Sequence, residues 1–104
     1  MQEIHINYEN IDWHKNPNSS HSISSKMLRD EEGAKTLLLK LPKGVTIDTH
    51  KHTKTEQHFI IEGEYESEGK TYGPGTYRLI PAETNHGPFS AKTELVILVI
   101  WDSD

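Results

Sequence analysis

Apolar and polar positions alternate along this chain in short runs, each stopped by a turn. Residues 36–41 (TLLLKL) run into Pro42-Lys43-Gly44. The pattern repeats: Phe59-Ile60-Ile61 stops at Glu62-Gly63, Tyr65-Glu66-Ser67 near Glu68-Gly69-Lys70, residues 77–80 at Pro81, and residues 95–101 close the series. Runs bounded by Gly, Pro and acidic turn residues at a spacing of roughly 8 to 12 positions predict strands, and no window of helical length carries a 3.6-residue apolar period. The class predicted is all-β, an antiparallel sandwich or small barrel.

The first third is less regular. Residues 4–8 (IHINY) alternate as a strand would, residues 16–22 (NPNSSHS) read as a polar loop, and residues 24–28 begin a strand expected to turn at residues 29–33. No composition shift marks a boundary, and 104 residues with 33% apolar content need nearly all their strands around one core. A single domain over residues 1–104 is expected.

Composition narrows the function. The longest apolar run is seven residues, 95–101, far short of the roughly 20 of a spanning helix, so no membrane partner is expected. Eleven Lys+Arg against sixteen Asp+Glu leave a net charge of −5, and no dense basic stripe offers itself to nucleic acid. The opening residues lack the basic-then-apolar layout of a signal peptide, which makes the cytoplasm the expected location. There is no cysteine, but there are seven histidines, at positions 5, 14, 21, 50, 52, 58 and 86. Without thiolates, imidazole and carboxylate are the strongest transition-metal ligands available.

Three histidines and a glutamate stand at spacings that strands turn into a site. His50 and His52 lie two apart, so both imidazoles project to one strand face. Glu56 follows after a stretch short enough for a bend, and His86 must arrive from another strand. Three neutral imidazoles and one carboxylate suit a single divalent ion, iron, zinc, manganese or nickel, with coordination positions left for water or substrate. By parity His58 shares the face of Glu56, where an imidazole titrating near neutrality could relay protons or bind substrate, or could simply support its neighbours. Gln57 points the other way, as a packing or interface residue. His5, His14 and His21 read as surface residues. The alternating Glu62, Glu64, Glu66 and Glu68 read as a solvated outer face, and Phe59, Ile61, Tyr65, Trp101 and Trp13 as core or interface.

These residues carry a family resemblance. Gly44-x5-His50-x-His52-x3-Glu56-x6-Gly63 resembles the first cupin motif, and Gly75-x5-Pro81-x4-His86 resembles most of the second. Glu83 stands where the family has glycine, and Ser90 where it has asparagine. Trp13, Pro17, residues 62–72, Pro74-Gly75-Thr76-Tyr77 and His86-Gly87-Pro88-Phe89-Ser90 together resemble the ChrR-like branch. The resemblance implies a small antiparallel jelly-roll barrel with a mononuclear metal centre. It also implies relatives that cleave diketones or aryl ketones with oxygen, and the metal-binding half of zinc-dependent anti-sigma factors. The anti-sigma role resides in a separate helical domain and is not carried over. Some ketone-cleaving relatives bind iron through histidines alone, whereas this chain retains Glu56.

Three functions follow as expectations. One is a metal-dependent dioxygenase acting on a dicarbonyl or aryl ketone. The second is a non-enzymatic, metal-dependent ligand-binding or sensor module. The third is a sugar or sugar-acid isomerase or lyase, for which His58 is the available base. The partners expected are a small-molecule substrate or ligand and a second copy of the chain, because a small sheet with few apolar residues gains by covering an edge in a homodimer.

Overall fold

Residues 95–101 (LVILVIW) are apolar on both faces, the signature of a strand with neighbours on either side. A computed structural model describes residues 2–16, 23–48, 53–85 and 87–102, and in it this segment is central. In chain order the described strands are β1 (His14–Lys15), β2 (Ser24–Glu31), β3 (Ala34–Leu41), β4 (Thr46–Ile47), β5 (Glu56–Glu62), β6 (Tyr65–Ser67), β7 (Lys70–Tyr72), β8 (Tyr77–Ile80), β9 (Phe89–Ala91) and β10 (Leu95–Trp101). They form a six-stranded sheet, β1-β2-β3-β10-β5-β8, and a four-stranded sheet, β4-β9-β6-β7. Every pairing is antiparallel. The all-β jelly roll expected from the sequence is therefore present, as two facing sheets whose strand pairing does not close into one continuous barrel.

The two sheets share one apolar core. Leu37, Leu41, Ile60, Leu95, Ile97 and Val99 come from the large sheet, and Tyr65, Phe89 and Ala91 from the small one. Two hairpins close on Glu-Gly pairs, Glu32-Gly33 (φ 51° and 83°) and Glu68-Gly69 (φ 51° and 82°). Left-handed conformation at both central residues matches the right-handed twist of the flanking strands.

Several elements differ from the sequence reading. Residues 4–8 form no strand: Ile4 and Ile6 are exposed, and the segment ends in a one-turn 3₁₀ helix, Tyr8–Asn10, capped by the Asn7 side chain. Alternation without a partner strand cannot build a ladder. The strand beginning at Ser24 runs on to Glu31, because pairing with β3 extends to Glu31↔Ala34 and only Glu32-Gly33 is left to turn. The short strands β1, β4, β7 and β9 went unread, being too short or too polar to carry a pattern.

Register along the inner face of the large sheet positions the site. One cross-strand row contains Lys35, Trp101, Glu56 and Ile80, and the next contains Leu37, Val99, His58 and Arg78. Beyond these come Leu39, Ile97 and Ile60. The space between the sheets is thus polar at one end and apolar at the other. On the outer face Phe59, Tyr77 and Leu79 are exposed. Among the described residues no helix is long and apolar enough to cross a membrane.

Ile97→Ala removes a fully buried side chain from the middle of the core and is expected to cost about 2–5 kcal/mol in urea denaturation. Ile6→Ala, in the exposed segment before the 3₁₀ helix, is expected to stay within about 0.5 kcal/mol of wild type.

Candidate metal centre

Glu56 opens β5 and turns its carboxylate inward, where only 5% of the residue is exposed. His58, two residues on, is 2% exposed and faces the same interior, as strand parity requires. A carboxylate so far from water is costly unless donors surround it. Two donors are visible. Trp101 Nε1 donates to Glu56 Oε1 at 2.6 Å, and His58 Nε2 bonds Glu56 Oε2.

The bonding continues across the space between the sheets. His58 Nδ1 lies 3.0 Å from the Tyr65 hydroxyl on β6, and Arg78 Nη1 donates to that hydroxyl at 3.2 Å. Donor and acceptor inventory gives these bonds a direction when the imidazole is neutral. A guanidinium can only donate, so the Tyr65 oxygen accepts from Arg78 and its O–H donates onward to His58 Nδ1, leaving Nε2–H to donate to the carboxylate. Guanidinium, phenol, imidazole and carboxylate form one polarised chain, with the indole N–H holding the second carboxylate oxygen. Arg78 also lies over the Tyr72 ring at 4.9 Å, while Phe89 meets the His58 ring at 5.4 Å between centroids. Burial pushes the Tyr65 phenol above the 10.0 of an exposed tyrosine, an effect the Arg78 hydrogen bond and charge partly oppose.

Of the four residues expected to hold a metal, Glu56 is placed as described, whereas His50, His52 and His86 lie outside the described residues. Among the described residues no group of three His, Asp or Glu gathers that could hold an ion by itself. The chain around them is fastened toward the same end. Ala82 N donates to Thr55 Oγ1 at 3.3 Å, Gly87 N to Glu68 Oε1 at 3.1 Å, and Ser67 Oγ to Pro88 O at 3.1 Å. These bonds tie the segment on either side of position 86 to the start of β5 and to the β6–β7 hairpin. The fit to a divalent ion rests on the chemistry of Glu56: a buried carboxylate at the polar end of the core is an oxygen donor of the kind first-row divalent metals take.

The other sequence expectations fall on both sides of the sheet. Gln57 points outward and accepts a hydrogen bond from the Tyr77 hydroxyl at 2.6 Å. His5 and His14 are exposed, and His21 lies outside the described residues. Glu62, Glu64, Glu66 and Glu68 are all exposed. Of the residues read as core or interface, Tyr65 is core and Phe59 is exposed on the outer face. Ser90, in the family's asparagine position, pairs with Thr46 across β4 and β9 at 2.8 Å between hydroxyl oxygens. Glu83, in the glycine position, takes φ 63°, so the turn before position 86 forms with a residue that pays for the left-handed conformation. The sequence reading missed Arg78 and the polar role of Trp101. The signal was available for both: Trp101 continues the inward parity of Leu95, Ile97 and Val99, and Arg78 lies two residues before the apolar Ile80, on the same strand face.

The ChrR Cupin-like domain family matches residues 1–103. No curated protein shows significant similarity to the chain. Solved structures share the fold at low identity. A protein of Methylibium petroleiphilum with a provisional acetylacetone dioxygenase designation superimposes with TM-score 0.85 at 20% identity, over 97% of this chain and 77% of that one. An acetylacetone dioxygenase from Acinetobacter johnsonii gives TM-score 0.77 at 19% identity, over 97% and 73%. A chain of the Rhodobacter sphaeroides complex of SigE with the anti-sigma ChrR gives 0.75 at 20% identity, over 92% of this chain and 52% of that one, about half its length.

Because Tyr65 holds its proton more tightly when folded, its contribution to stability is complete below pH ~10 and is lost as pH rises through the raised folded value. Urea midpoints measured from about pH 9 to about pH 11 are expected to fall more steeply for wild type than for Tyr65→Phe. Glu83→Gly is expected to raise stability by up to about 1 kcal/mol by relieving the left-handed strain, read from the same denaturation curves.

Proposed function

The chain belongs to the ChrR cupin-like domain family, and on that premise we propose that it binds one divalent transition metal through His50, His52, Glu56 and His86 and uses it, with dioxygen, to cleave a small dicarbonyl or aryl ketone. The observation that carries the proposal is the buried Glu56 carboxylate. It stands in the motif position, on the inner face, oriented by Trp101 and His58 at the polar end of the core. Similarity of fold to two structures designated acetylacetone dioxygenases supports the reaction class.

When bound, a metal at this position supplies Lewis-acid polarisation of a carbonyl, or oxygen activation if it is iron. The chain's own residues do the rest. Trp101 and His58 each bond one oxygen of the Glu56 carboxylate and so fix its plane. His58 has both ring nitrogens engaged, which makes it a positioning residue acting through Glu56. Tyr65 and Arg78 in turn hold the imidazole in the tautomer that donates to the carboxylate. The apolar rows beyond Val99 close that end of the space to water. In the net reaction one carbon–carbon bond of the ketone breaks and both oxygen atoms enter the products.

A homodimer is proposed with this activity. Phe59, Tyr77 and Leu79 leave an apolar outer face beside the edge strand β8, and Leu79→Glu is expected to shift the mass seen by light scattering from dimer to monomer.

Protein purified without chelator and reconstituted with iron is expected to contain close to one metal per chain by elemental analysis. The double variant His52→Ala, His86→Ala is expected to lose it. Iron-loaded protein is expected to take up oxygen with a diketone or an aryl ketone. A full complement of metal without oxygen uptake in the iron, manganese, nickel or zinc forms would overturn the dioxygenase and favour the metal-dependent binding module.

A further inference from the structure

A cavity of about 360 Å³ opens beside Trp101, lined by Gly33, Lys35, Thr53, Lys54 and Trp101. Its volume lies at the lower end of the roughly 300–1,000 Å³ of small-molecule sites. In a chain of net charge −5, two of its lining residues are lysines. Their placement follows from the fold. Lys35 is the cross-strand partner of Trp101, which is itself the partner of Glu56, so all three lie in one row on the inner face. An inward-facing lysine at the open end of that row breaks the apolar alternation that Leu37, Leu39 and Leu41 continue.

Lys54 comes from the segment just before β5. Its Nζ donates to Gly33 O at 2.6 Å, and it sits where a Cβ on Gly33 would collide with it. The carbonyl uses one of the three ammonium donors and holds the charge in place. The acid nearest Lys35 in register is Asp30 on β2, an exposed residue, and among the described residues the two form no ion pair. The indole of Trp101 lines the cavity while its N–H is bonded to the Glu56 carboxylate, so a molecule resting on the ring is one side chain away from the candidate metal ligand.

We infer that this cavity takes an anionic substrate, a small β-keto acid, with the carboxylate on Lys35 and Lys54 and the ketone directed past Trp101 toward Glu56. The inference rests on the metal-dependent reading above and names its substrate class. Lys35 is exposed and Lys54 half-buried, so with a neutral diketone in the cavity the two ammonium groups keep only water and the Gly33 carbonyl as partners. A carboxylate satisfies both through charge-assisted hydrogen bonds.

Titration calorimetry of the iron-reconstituted and the metal-free protein under nitrogen at neutral pH tests this, with acetoacetate and neutral acetylacetone as the two probes. Acetoacetate is expected to bind the wild-type protein more tightly than acetylacetone, by about tenfold, and to weaken as salt is raised. Lys35→Gln is expected to lose that advantage while leaving metal content and acetylacetone binding unchanged, and Lys35→Arg to restore it in part. Lys54→Gln also loosens the β2–β3 turn, so its thermal midpoint is measured alongside and Lys35→Gln decides the matter. Equal binding of the two probes by wild type, or acetoacetate affinity untouched in Lys35→Gln, would overturn the inference. Failure to take up metal would sink the metal centre instead, and the lysine dependence of acetoacetate binding in the metal-free protein would still decide the carboxylate site.

Discussion

The Glu56 carboxylate is buried at one end of the space between two sheets, and the arrangement around it answers the demand that such a charge makes. A desolvated carboxylate requires donors with fixed geometry. The fold supplies them from both sheets: an indole from β10, an imidazole from β5, and behind the imidazole a phenol from β6 and a guanidinium from β8. Tyr65 is the point at which the sheets are joined by polar bonding as well as by packing, since its ring lies 4.8 Å from Phe89 in the core. A half-satisfied network of this kind costs more than an apolar core would, so its members stand or fall together.

That constraint accounts for the division of the interior. Leu41, Leu95, Ile97 and Ile60 fill the apolar end, where burial is favourable without partners. At the other end, successive inward positions hold His58 and Arg78, then Lys35, Trp101 and Glu56. The candidate site and the apolar core therefore occupy opposite ends of the same strands. Three strands each contribute to both, so the core sets the register of the site: a one-residue slip of β10 against β5 would carry Trp101 to the outer face and leave the carboxylate short of a donor.

Much of this was legible from the chain itself, and its limits have physical causes. The long strands β3, β5 and β10, and the four-residue β8, announce themselves because both faces or alternate positions are apolar or aromatic along them. Residues 4–8 show the same alternation without becoming a strand, since a ladder needs a neighbour and alternation records only a tendency. The short strands β4, β7 and β9 pair only with one another and with the three-residue β6, and that small sheet is held by packing Tyr65, Phe89 and Ala91 against the large one. The turn at Glu83 forms against local preference, with the surrounding structure over-determining its left-handed backbone.

The same division applies to the site. The spacing of His50, His52, Glu56, His86 and the turn glycines marks the family and the candidate ligands, because strand parity and turn chemistry are local properties. Parity also assigns His58 to the inner face. Partners are a different matter. That His58 is held between Glu56 and Tyr65, that Arg78 backs the phenol, and that Lys35 and Trp101 share a row with Glu56 depend on register between strands up to 66 residues apart, from Lys35 to Trp101. Local sequence determines which face a side chain takes. Only the packing of one sheet on the other decides what it meets there.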